Sequence, residues 1–146
     1  MENMKKALLD ISMPDYLKES DNPKDQEASP FEVLNRVAAQ MEQRTGGMVQ
    51  AKIYLAPFLG TIRYTFYLVV PDLNGYTDPL FYVWTSQPDR GYPVCLRESA
   101  TEQDDQTPYD TAEGLVKRLE QIFASSWAKS RIRQWINMAE EREGVR

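Results

Sequence analysis

The sequence predicts an α+β domain in two layers: a helix, a four-stranded antiparallel meander and two further helices, preceded by a short N-terminal helical arm. Three observations carry that expectation. Apolar residues recur at helical spacing through 31–41 and again through 112–139, the period falls to two between 49 and 70, and the strand-like runs follow one another across short turns with no helix between them. Runs so closely joined pair as antiparallel hairpins, because a parallel crossover needs about a dozen residues or more.

The chain opens with an arm and polar linker, 1–28. Met4, Ala7, Leu8 and Ile11 form one apolar helical stripe, Pro14 ends it, and LKESDNPKDQEAS is nearly free of apolar side chains. A single compact domain is expected over 29–146. Its first helix starts at Ser29-Pro30-Phe31-Glu32, where a capping serine, a proline at the first helical position and a glutamate three residues after the cap form a capping box. Phe31, Leu34, Val37, Ala38 and Met41 then mark its buried face, and Gly46-Gly47 stop it.

In MVQAKIYL, Val49, Ala51, Ile53 and Leu55 alternate with Gln50, Lys52 and Tyr54. In TIRYTFYLVV, Ile62, Tyr64, Phe66, Leu68 and Val70 alternate with Arg63, Thr65 and Tyr67. The link APFLG makes one turn, Asn74-Gly75 a second, and QPDRG a third between LFYVWTS and YPVCLR. With the apolar parity turned toward the helices, the opposite sheet face carries Lys52, Tyr54, Arg63, Thr65, Tyr67, Tyr82, Trp84, Cys95 and Arg97. Thr107-Pro108, with Asp110 three residues after the threonine, predicts the next helix start. Ala112, Leu115, Val116, Leu119, Ile122 and Phe123 supply that helix's apolar face, Ser125-Ser126 a break, and Trp127, Arg131, Ile132, Trp135, Ile136 and Ala139 the last helix.

Composition narrows the chemistry. Among 146 residues there is no histidine and one cysteine, which removes Ser-His-Asp triads, Cys-His pairs, histidine-ligated metals and thiolate zinc sites. No Gly-rich phosphate loop, GxSxG elbow or dinucleotide fingerprint is present, so the reading is of a non-enzyme with no cofactor and no metal. The net charge of −5 disfavours wholesale binding to nucleic acid or anionic membrane, yet between Met48 and Arg97 the basic Lys52, Arg63, Arg90 and Arg97 outnumber Asp72, Asp78 and Asp89. A lone thiol, no complete signal-peptide pattern and no membrane-length apolar run point to the cytoplasm.

Several features invite a chemical reading and a plainer one. Cys95 shares its strand face with Arg97, which would favour a thiolate, but with no histidine to act as base it reads as a small apolar strand residue. Asp72, Asn74, Thr77 and Asp78 in DLNGYTD lack calcium-loop spacing and read as a hairpin turn. Glu98, Glu102, Asp104 and Asp105 read as a solvated acidic loop. Size, acidity and a helix followed by strands resemble, in general outline, the small acidic chaperones of type III secretion, although in that family a helix splits the strands.

The expected function is that of a protein-binding module of regulator, inhibitor, immunity or chaperone type. Its contact residues are Tyr54, Arg63, Tyr67, Tyr82, Trp84 and Arg97 on the sheet, with Trp127, Arg131 and Trp135 on the last helix, since Tyr, Trp and Arg dominate binding hot spots. Lys117, Arg118, Lys129, Arg131 and Arg133 add a basic tract there. The expected partner is another protein, with a homodimer through open strand edges and no membrane association. The alternative is single-stranded nucleic acid stacked on the aromatic, basic sheet face, and a third, weaker reading is a histidine-free enzyme built on carboxylates or tyrosines.

Overall fold

The structure, a computed structural model, describes residues 27–74 and 76–145. The order is α1 (Pro30–Arg44), β1 (Gln50–Phe58), β2 (Thr61–Val70), a single 3-10 turn (Pro71–Leu73), β3 (Tyr76–Thr85), β4 (Cys95–Glu98), α2 (Ala112–Ala124) and α3 (Ser126–Val145). The strands form one antiparallel sheet in the order β1-β2-β3-β4, so the fold is α+β as the periodicities predict. The apolar stripe Met4, Ala7, Leu8 and Ile11 lies outside the described residues. The last two residues assigned to the linker belong to the folded body: Ala112 N–H donates to Glu27 Oε1 at 2.6 Å, and Tyr92 Oη donates to the Ala28 carbonyl at 2.8 Å.

α1 begins as its capping signal implies, with Ser29 Oγ accepting from Glu32 N–H at 3.2 Å. Its buried stripe runs through Pro30, Val33, Leu34, Val37, Ala38 and Met41. Phe31, expected on that stripe, falls one position off it and is 40% exposed, with its ring 6.1 Å from that of Tyr64. At the other end Thr45 is fully buried as the C-cap, its hydroxyl reaching the Met41 carbonyl at 3.1 Å and the Val49 carbonyl at 2.8 Å.

The strand register confirms the parity argument. Phe66 of β2 lies opposite Phe81 of β3, their rings stack at 4.8 Å, and Phe123 of α2 meets them edge-on at 6.0 and 6.4 Å. Tyr64, Leu68, Val70, Val83 and Leu96 join the same core with the buried faces of the three helices. Leu55, expected inside, is instead 47% exposed on the edge strand β1, opposite the buried Tyr64. Between Phe66 and Tyr67 the β2–β3 register shifts, so that Tyr67 faces Pro79 and Leu68 faces Asp78.

The Thr107-Pro108 helix start is corrected. Tyr109 and Val94 exchange backbone hydrogen bonds at 2.9 and 2.8 Å, which holds that segment extended against the sheet. Thr111 caps α2 instead, accepting from Gly114 N–H at 3.0 Å. The Ser125-Ser126 break is present: Ser125 ends α2, and its side chain accepts from Ala128 N–H at 3.3 Å at the start of α3. The Tyr109 bridge to Val94, just before β4, and Asp105 N–H donating to the Leu96 carbonyl at 2.8 Å cover part of the outer side of that edge. β1, at the opposite edge, pairs only with β2 among the described residues.

Candidate functional site

Alternation along each strand and the pairing between strands place the outer-face residues in rows. One row is Lys52, Tyr67 and Pro79; the next is Tyr54, Thr65, Tyr82 and Arg97; the next is Ala56, Arg63, Trp84 and Cys95. All six sheet residues proposed from sequence therefore share one face. The rows carry Lys52, Arg63 and Arg97 and no carboxylate, within a chain whose net charge is −5. Tyr54 is 62% exposed, while Arg63, Tyr67, Tyr82, Trp84 and Arg97 are half-buried among one another. Thr65, flanked by Tyr54 and Tyr82 in its row, is buried although it points away from the core.

Tyr82 organises the cations. The guanidinium carbon of Arg63 lies 4.4 Å from the centre of its ring and that of Arg97 lies 5.2 Å away. Such stacking holds a guanidinium by its flat face and leaves its N–H edge to donate. Arg97 also approaches Asp104 at 4.0 Å, a long contact between side chains 34% and 54% exposed. No carboxylate of the described residues lies within ion-pair distance of Arg63 or Lys52.

Next to this pair the β1–β2 turn builds a wall. Phe58 pairs with Thr61 across Leu59 and Gly60, whose φ angles are 47° and 81°, a two-residue hairpin turn that requires left-handed backbone at both central positions. Glycine adopts that conformation freely, whereas a leucine there is strained, and Leu59 is also 87% exposed. Phe58, Leu59, Thr61, Arg63, Trp84, Arg97 and Asp104 line an open cleft of about 310 Å³. Sequence reasoning found Arg63, Trp84 and Arg97 but missed Phe58 and Leu59. The available signal was an apolar residue placed before Gly60, where asparagine or aspartate is preferred.

The second cluster, expected on the last helix, lies apart from the sheet face and is engaged internally. Asp78 of β3 is 9% exposed and accepts from Arg131 Nη1 and from Trp135 Nε1, both at 2.6 Å. Trp135 is 8% exposed, with Tyr76 against its ring at 5.0 Å. Trp127 donates its Nε1–H to Glu98 Oε1 at 2.6 Å, with the Arg131 guanidinium 6.0 Å from its ring centre. Trp127, Arg131 and Trp135 thus fasten α3 to the sheet.

The acidic loop is likewise partly structural. Arg118 of α2 binds Asp105 at 2.7 Å and Glu98 at 2.8 Å, and Tyr109 Oη donates to Asp105 Oδ2 at 2.5 Å. These two carboxylates hold the Arg118 guanidinium more firmly protonated than an ordinary arginine. Burial, then the bond to Asp105, pushes the Tyr109 phenol up to about 12. Burial and the charges of Asp104 and Asp105 also push the Cys95 thiol up, opposite to the thiolate that a neighbouring arginine would favour. Cys95 is accordingly a poor nucleophile at neutral pH.

Among the described residues no cluster of three or more cysteine or acidic side chains is placed to hold a metal ion, and no helix is long and apolar enough to cross a membrane. No family model, curated protein or solved structure matches the chain.

Proposed function

We propose that the chain is a non-enzymatic binding module that acts by occupying a partner protein through the outer face of its sheet, in the manner of a regulator, inhibitor, immunity factor or chaperone. The observation that carries the reading is the continuous set Tyr54, Arg63, Tyr67, Tyr82, Trp84 and Arg97, drawn from four strands onto one face and outside the core. Tyrosine, tryptophan and arginine gather where buried contact area and directed hydrogen bonds are needed together. The outer edge of β1, which has no partner strand among the described residues, supports a second mode, self-association by strand pairing.

Single-stranded nucleic acid remains the second reading, since Tyr54, Tyr67 and Trp84 offer rings beside cations. Tyr82 fits it poorly, because two guanidiniums already sit against its ring.

The test is affinity capture of the tagged full chain from its native lysate, with and without nuclease, beside a Tyr67→Ala/Trp84→Ala variant. A stoichiometric protein that survives nuclease and is lost with the variant supports the module. Each ring is expected to contribute about 2 kcal/mol, or roughly thirtyfold in affinity, if it is a hot spot. Capture of nucleic acid, or of proteins released by nuclease, would transfer the face to the second reading.

A further inference from the structure

We infer that the cleft between the β1–β2 turn and β4 is an anchor site for an acidic peptide segment of the partner, one that presents an apolar or aromatic side chain beside a carboxylate. The inference rests on the protein-binding reading and adds the chemistry of what is bound. Arg63 and Arg97, both against the Tyr82 ring, line the cleft, and Arg63 has no carboxylate of its own among the described residues. Forked donors of this kind match carboxylate geometry and bind it with two parallel hydrogen bonds. Trp84, Phe58 and Leu59 form an apolar lining beside those donors, so the matching ligand is an anion next to a hydrophobic group.

Leu59 points the same way. A leucine held at φ 47° and 87% exposed is unfavourable twice, through its backbone and through its hydration. Strain of this sort persists where a contact offsets it. Asp104 on the rim is the intramolecular competitor, and at 4.0 Å from Arg97, in solvent, it holds that arginine weakly enough for an incoming carboxylate to replace it.

The experiment pans a random dodecapeptide display library on the full chain and on three variants, with a random-sequence single-stranded oligonucleotide pool as competitor. Selected peptides should be enriched in aspartate or glutamate next to phenylalanine, tryptophan, leucine or isoleucine. Their affinity should fall about tenfold or more in Arg63→Ala/Arg97→Ala and rise in Asp104→Asn. Leu59→Gly should weaken peptide binding while raising the melting temperature, which separates contact from folding. Arg63→Lys/Arg97→Lys keeps the charge without the fork and should recover only part of the affinity. No enrichment over the unselected library, enrichment of neutral or basic peptides, equal binding by the arginine-to-alanine variant, or displacement by the oligonucleotide pool would each overturn the inference. If lysate capture still retains a protein that depends on Tyr67 and Trp84 but not on Arg63 and Arg97, the binding reading stands and the acidic anchor falls.

Discussion

Replacing Asp78 by alanine should loosen the attachment of α3 to the sheet by an amount that its hydrogen bonds allow to be worked out. The carboxylate is 9% exposed and accepts two charge-assisted or buried bonds at 2.6 Å, one from Arg131 and one from Trp135. Losing it leaves the indole N–H of a tryptophan only 8% exposed without an acceptor, at a cost of about 1–3 kcal/mol. Arg131 is 35% exposed and regains water, so its share is screened to about 1 kcal/mol or less. The sum is about 1–4 kcal/mol, or roughly 2–16 °C in melting temperature for a chain of this size. Urea unfolding followed by circular dichroism measures it. Asp78→Asn, which can still accept one bond, should lose about half as much, and a double-mutant cycle of Asp78→Ala with Trp135→Phe should show a coupling of about 1 kcal/mol or more. A loss below about 0.5 kcal/mol, the range of ordinary surface changes, or a coupling near zero would refute the assignment of Asp78 as the anchor of α3.

Gly91→Ala should cost about 1–3 kcal/mol in equilibrium unfolding, since Gly91 has φ 84° and an added Cβ would come 2.9 Å from Pro30 Cδ; a neutral result would show that the loop shifts freely. Tyr109 should ionise late in an ultraviolet alkaline titration, near 12, and Tyr109→Phe should remove that step. Because the native phenol keeps its proton above the ordinary value of 10.0, its contribution to stability is complete below that pH and is lost as pH rises through about 12, so unfolding in that window should become less pH-dependent in the variant. Cys95 should react slowly with a thiol reagent at neutral pH in the native protein and faster in Asp104→Asn, because removing that charge lowers the thiol pKa; an unchanged rate would put the control in access instead of charge.

The outer face was legible in the sequence because alternation is a local property. Once Ile62, Tyr64 and Phe66 are turned inward, Arg63, Thr65 and Tyr67 can only point outward, and pairing with β3 and β4 extends the set to Tyr82, Trp84 and Arg97. What escaped were choices settled at long range. Two Thr-led helix starts lie within five residues of each other, and the contact of Tyr109 with Val94, just before β4, selects Thr111 over Thr107. Asp78 looked like a turn residue until α3 supplied Arg131 and Trp135 from more than fifty positions away. Glu98 and Asp105 looked solvated because Arg118, their common partner, belongs to a helix whose packing no local pattern reveals. The cleft was half visible: Arg63, Trp84 and Arg97 follow from parity, whereas Leu59 contradicts turn propensity and is found only by its backbone angle.

The unequal edges of the sheet limit how copies of this domain can grow into larger assemblies. Beside β4, the Leu96 carbonyl accepts from Asp105 and the preceding Val94 pairs with Tyr109, while β1 presents nine residues that pair only with β2 among the described residues. Strand pairing through the β1 edge alone would join two copies β1 against β1 across a twofold axis, a union that uses up both edges. Fibre growth by strand stacking needs a second free edge on every unit, and the contacts of Asp105 and Tyr109 cover part of the one beside β4.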